Sequence, residues 1–140
     1  MRFTLYWSLD DTARITTVED LDIALTLVAR SRRRARGPYV VDLLPAGTRE
    51  GGLQLGIGHP ERAFVLDLHP SGGYATESGV PAWPEPIAFD CGREVVEFKP
   101  EWTRVTARAA IEAARRYVHT GARPRNLRFT QIAVADRVRD

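Results

Sequence analysis

The stretch from Thr103 to Gln131, TRVTARAAIEAARRYVHTGARPRNLRFTQ, decides how the rest of the chain is arranged. It predicts one long helix, a defined stop, a turn and a short strand. Ala107, Ala110, Ile111, Ala114, Tyr117 and Val118 recur at helical spacing and form an apolar stripe suited to lying on a sheet. Half of that stripe is alanine, so the helix axis can approach the sheet closely. Tyr117 supplies area and can keep its hydroxyl at the wet edge. The opposite face carries Arg104, Arg108, Glu112, Arg115 and Arg116. Glu112 stands four residues from both Arg108 and Arg116, giving solvated pairs of about 0.2 to 0.5 kcal/mol each. Gly121 takes a left-handed cap without steric cost and Pro124 forbids renewed helix, so the helix ends near Thr120. Leu127 and Phe129 then alternate with Arg128 and Thr130, the period of a strand with one buried face.

Working outward, Arg2 to Leu9 alternates Phe3, Leu5 and Trp7 against Arg2, Thr4, Tyr6 and Ser8, as a first half-buried strand does. Asp10 and Asp11 mark a turn. Thr16 and Glu19 have capping-box spacing for a helix starting about Thr17, with Val18, Leu21, Ala24, Leu25, Val28 and Ala29 as its packing stripe. That helix runs out in Arg30, Arg32, Arg33, Arg34 and Arg36 before Gly37 and Pro38. Arginines complement the negative end of a helix dipole, and no aromatic residues interleave with them. A solvated helix end is therefore preferred to a nucleic-acid patch.

The middle third reads as short strands at Tyr39 to Leu44, Leu53 to His59, Ala63 to His69 and Gly73 to Ser78. Connections this short favour antiparallel neighbours, hence a meander. In the third of these runs Phe64, Leu66 and Leu68 are expected to face the helices, leaving Asp67 accessible on the other side. Val80 to Pro86, VPAWPEP, is a stiff loop, because its prolines exclude both helix and sheet interior. Its Trp83 either anchors a partner or covers the sheet edge. Ile87 to Phe89 and Glu94 to Lys99 form a hairpin closed through Asp90 to Arg93, with Val96 and Phe98 inward. The residues after Gln131 can extend the last strand before fraying. This element order predicts an α+β fold, a single domain over residues 1–140 with an antiparallel meander sheet and two helices on one face.

Composition narrows function. The chain has 140 residues and a net charge of +2, unevenly spread. Residues 1–37 carry +2, residues 38–102 carry −6 from ten acidic and four basic groups, and residues 103–140 carry +6. Cys91 is the single cysteine, so neither an internal disulfide nor a paired-cysteine zinc site is possible. No apolar run approaches the ~20 residues of a membrane span, and a cytoplasmic location is expected.

Chemistry-bearing patterns are sparse. His59 and His69 flank one strand, and extended chain would separate them by about 30 Å, too far to share a metal. His119 suits a helix C-terminus. Cys91 lacks an activating base and has acidic neighbours. There is no serine elbow, phosphate loop or dinucleotide fingerprint; Gly56 and Gly58 instead mark close backbone approach or a bulge. No active site, cofactor or metal is expected.

Val105, Ala109, Ala113, Tyr117 and Val118, followed by Thr120, Gly121, Arg123, Pro124, Leu127 and Phe129, resemble the C-terminal signature of a polymorphic-toxin immunity family, the first of the Imm series. Members typically carry tryptophan where Phe129 stands. The resemblance implies a non-enzymatic protein that binds a cognate toxin. It further implies that the toxin is a deaminase acting on nucleic acid, since such toxins usually accompany the family. A basic toxin cleft would accept an acidic surface. The residues themselves then nominate Asp67, Glu77, Glu85, Asp90, Glu94 and Glu97 as contacts, with Tyr74 and Trp83 as aromatic anchors. The alternative is a small nucleic-acid-binding accessory domain using the arginine clusters. The favoured reading has a protein partner and expects neither membrane nor nucleic acid.

Overall fold

Four runs of the middle third, β3 (Tyr39–Pro45), β4 (Leu53–Ile57), β5 (Arg62–Asp67) and β6 (Gly73–Thr76), pair antiparallel in chain order, as the short connections between them require. The computed structural model that shows this describes residues 2–8, 11–31, 37–48 and 50–131. β10 (Arg128–Gln131) adds beside β6, and β1 (Phe3–Tyr6) beside β3. β2 (Thr12–Ile15) closes a hairpin with β1, giving the order β10-β6-β5-β4-β3-β1-β2. The first strand is thus shorter than its alternation implies, and the chain returns as a strand before the first helix. Ile15 on β2 is fully buried, whereas Thr12 and Arg14 are exposed. Only one residue of this strand anchors it firmly, so its hydrophobic signal is weak.

Helices α1 (Val18–Ser31) and α2 (Ala107–Thr120) lie on one face of the sheet, and the architecture is α+β. The capping box of α1 sits one residue later than Thr16 and Glu19. The Thr17 hydroxyl accepts from the Asp20 N–H, and the Asp20 carboxylate accepts from the Thr16 and Thr17 N–H groups. Those bonds hold the Asp20 carboxyl below its ordinary range. The arginine run at Arg32, Arg33, Arg34 and Arg36 and the segment after Gln131 lie outside the described residues.

α2 begins at Ala107, not Thr103, because Val105 and Thr106 first form a two-residue strand, β9, against Arg62 and Ala63. Thr106 caps the helix by accepting from the Ala109 N–H, and Gly121 closes it with φ 73°. The buried positions are Ala110, Ala113, Ala114, Tyr117 and Val118. Tyr117 lies 5.0 Å from the Phe3 ring, and its hydroxyl reaches the Gly51–Gly52 backbone at the sheet margin. On the outer face Glu112 pairs with Arg116 at 3.1 Å, and Arg115 reaches Asp22 of α1 at 3.7 Å.

β5 presents its faces opposite to expectation. Ala63 and Val65 join the core under the helices, while Phe64 and Leu66 point to the other side. The strand is central and apolar on both faces, so a period of two cannot say which face meets the helices. Space decides it. An alanine-rich helix packed close to the sheet leaves room for Ala63 and Val65, and the phenylalanine ring goes to the open side.

That side has its own core. Phe64, Tyr74, Ile87, Phe89 and Phe98 are buried together, with Trp102 packed against them. They are brought there by a hairpin of β7 (Ile87–Asp90) and β8 (Val95–Phe98), followed by a 3-10 turn over Pro100–Trp102. β1 occupies one edge of β3 only along Asp42–Pro45, and β7 bridges that edge beyond it, at Tyr39 to Asp90. From this single bridge the hairpin crosses the sheet face that the helices leave open.

Candidate functional site: the outer face of the β7–β8 hairpin

Aromatic stacking seats the hairpin. Phe98 stacks on Phe64 at 4.3 Å, Phe89 meets both rings edge-on at 5.3 and 5.1 Å, and Trp102 stacks on Tyr74 at 4.7 Å. Each such pair contributes about 0.5 to 1.5 kcal/mol beyond its buried area. Gly56 makes the arrangement possible, since a Cβ there would stand 2.2 Å from the Phe64 ring and 2.7 Å from Phe89. The close approach expected at this glycine is therefore present.

With Ile87, Phe89, Val96 and Phe98 directed inward, alternation turns Ala88, Asp90, Val95 and Glu97 outward. They form two cross-strand pairs, Ala88 with Glu97 and Asp90 with Val95. Val95 is 64% exposed, an aliphatic side chain in an acidic setting. The tip is ordered by the Asp90 carboxylate, which accepts from the Gly92 N–H at 2.8 Å, and by the Cys91 N–H donating to the Glu94 carbonyl. Residues 85–101 hold five acidic and two basic groups, a local charge of −3.

Asp42 extends the patch inward from β3. It accepts from Gln54 Nε2 at 3.0 Å, yet burial pushes its carboxyl above the ordinary aspartate value of 3.8. Desolvation first, then Asp90, Glu94 and Asp42, raise the Cys91 thiol, which keeps it protonated and poorly nucleophilic.

A raised carboxyl pKa makes ionised Asp42 unfavourable to folding. The penalty is absent below about 3.8, where both states are protonated, and is complete once pH exceeds the folded-state value. Asp42→Asn, which keeps the acceptor for Gln54, is thus expected to stabilise the protein at pH 7 and to change nothing at pH 3. Denaturant unfolding at both pH values measures this.

The eight sequence-nominated contacts separate into two groups. Glu85, Glu94 and Glu97 are exposed and Asp90 is partly so, all on or beside the hairpin. The other four are engaged elsewhere. Asp67 is not accessible: its side chain is only 10% exposed, and it accepts from Arg123 at 2.6 and 2.8 Å and from the His69 N–H. Tyr74 is buried between Phe64 and Trp102 and cannot be a surface anchor. The Glu77 carboxylate accepts from the N–H and hydroxyl of Thr106, holding the start of α2. Trp83 is half-buried, covered by the Arg62 guanidinium at 4.8 Å and by the His59 ring at 5.3 Å. Arg62, itself buried, donates to the carbonyls of Pro81 and Thr103 and fixes the proline loop to the sheet. Val95 shares the outer face with Glu97, as the alternation in this strand predicts, but neither it nor Ala88 is among the sequence-nominated contacts.

Asp67→Ala removes three accepted hydrogen bonds, two of them from Arg123. It is expected to cost about 1 to 3 kcal/mol in denaturant unfolding.

Most of the residues that carried the family resemblance have structural roles. Val105 and Ala113 are fully buried, Gly121 is the cap, Arg123 is paired to Asp67, Pro124 and Leu127 are buried, and Phe129 lies 5.2 Å beneath the Arg123 guanidinium. Among the described residues no group of three His, Cys, Asp or Glu side chains is placed to hold a metal. No described helix is long and apolar enough to cross a membrane. The chain is thus an α+β scaffold that displays an acidic hairpin. The family model for immunity protein Imm1 matches residues 10–131, and the chain belongs to that family of immunity proteins. Comparison with curated proteins gives no match.

Proposed function

We propose that the protein neutralises its cognate toxin by direct one-to-one binding through the outer face of the β7–β8 hairpin. We further propose that the toxin is a nucleic-acid deaminase. The carrying observation is that hairpin face: Val95 and Ala88 exposed among Asp90, Glu94 and Glu97, on a support held by stacked aromatic rings. A toxin that acts on nucleic acid needs a basic cleft, and an acidic surface of this kind competes with its substrate for that cleft. A rigid support limits the ordering cost of docking. No catalytic step is required, because inhibition is stoichiometric.

The test is binding and growth rescue against the toxin domain encoded beside this protein, at low and moderate salt. Tight binding with rescue is expected, the added salt acting mainly on the association rate. Absence of binding, together with steeply salt-sensitive binding to DNA or RNA, would transfer function to the arginine clusters.

A further inference from the structure

The arginines around the loop after α2 form a surface that the hairpin leaves unused. A groove of about 850 Å³ runs between the end of β6, the turn that follows it and residues 122–129. Arg104, Arg123, Arg125 and Arg128 line it, with Glu77 as the single acidic residue. Across Pro124 a smaller cleft of about 300 Å³ is lined by Arg116 and again by Arg123 and Arg125. The loop therefore has arginines on both sides.

These charges are not equivalent. Arg123 is neutralised by Asp67, Arg104 Nε donates to the Val80 carbonyl, and Glu77 is held by Thr106. Arg125 and Arg128 are exposed and make no ion pair among the described residues. Asn126, also in the groove wall, donates Nδ2 to the Ala109 carbonyl and leaves Oδ1 buried without a partner. The wall thus presents two free cations, Arg125 and Arg128. Exposed guanidinium groups without an ion-pair partner recognise carboxylates, which the side chains of an acidic polypeptide supply. The aromatic residue of the groove, Phe129, has Arg123 stacked over it, so it offers no free platform for a base.

We propose that this groove is a second docking site whose occupant is an acidic, extended polypeptide segment. That the segment belongs to the toxin rests on the function proposed above; its acidic character does not. On this basis the protein meets its partner at two surfaces of opposite sign, the acidic hairpin and the arginine groove. Such pairing favours a partner carrying the complementary arrangement over one that matches a single surface.

The test uses the full chain and Arg125→Gln/Arg128→Gln, which alters exposed side chains and is expected to leave Tm unchanged. Fluorescence anisotropy follows a labelled oligoglutamate peptide and a single-stranded oligonucleotide of equal charge, and titration follows the toxin. The peptide is expected to bind more tightly than the oligonucleotide and to lose roughly tenfold in affinity in the variant. Val95→Arg/Glu97→Lys should leave peptide binding unchanged. The groove variant should also weaken toxin binding. Oligonucleotide binding as tight as the peptide's, or peptide binding indifferent to the two glutamines, overturns the proposal. If the peptide result fails while toxin binding stands, only the groove is lost. If toxin binding fails while the peptide result holds, only the toxin's ownership of the segment is lost.

Discussion

Gly56→Ala is expected to destabilise the protein by about 3 kcal/mol, the upper range for inserting one carbon into a packed core. The backbone conformation is not the reason; φ is not positive there. The reason is space. The new Cβ would lie 2.2 Å from two atoms of the Phe64 ring, which is stacked on Phe98 and edge-on to Phe89 and cannot retreat without moving them. The cost should appear in denaturant unfolding as a lower midpoint. Because Phe89 and Phe98 seat the hairpin, toxin binding should weaken with it. Phe64→Leu in the same chain should recover part of the loss, a non-additive result expected for residues in contact. Additive losses would show that Gly56 and Phe64 act separately.

Val95→Arg/Glu97→Lys is expected to weaken toxin binding by on the order of a hundredfold or more and to abolish growth rescue. The substitutions place two cations where a basic cleft is proposed to dock, and they remove an exposed aliphatic side chain from the centre of the patch. Stability should stay within about 0.5 kcal/mol of the parent, because both positions are solvent-exposed and lie away from the aromatic cluster's inner face. A variant that folds, binds and rescues like the parent would remove the hairpin from the interface.

Much of this was readable from residues. The α2 stripe, its Gly121 stop, the four-strand meander and the 87–99 hairpin each follow from a local period or a turn residue, and each is present. What escaped was non-local. Nothing in Phe64 or Val65 states which face the helices take; that depends on how near an alanine-rich helix lies. The path of the hairpin across the open face depends on β1 ending early beside β3, a length encoded far away in the chain. The same gap explains the mixed fate of the nominated contacts. Acidic and aromatic residues were identifiable by type, but the partners that engage Asp67, Tyr74 and Glu77 come from Arg123, Trp102 and Thr106, remote in sequence. Glu85, Asp90, Glu94 and Glu97 stay on the surface because the hairpin's other face is committed to the aromatic core.

The central claim is that the hairpin face occupies the toxin's working surface, and stoichiometric titration of toxin activity tests it most directly. The purified toxin domain is assayed for deamination of a nucleic-acid substrate while this protein is added. The account predicts that activity falls linearly to zero at one equivalent, and that Val95→Arg/Glu97→Lys leaves the toxin active at the same ratio. A toxin that is bound yet still active, or one inhibited equally well by the variant, would contradict it.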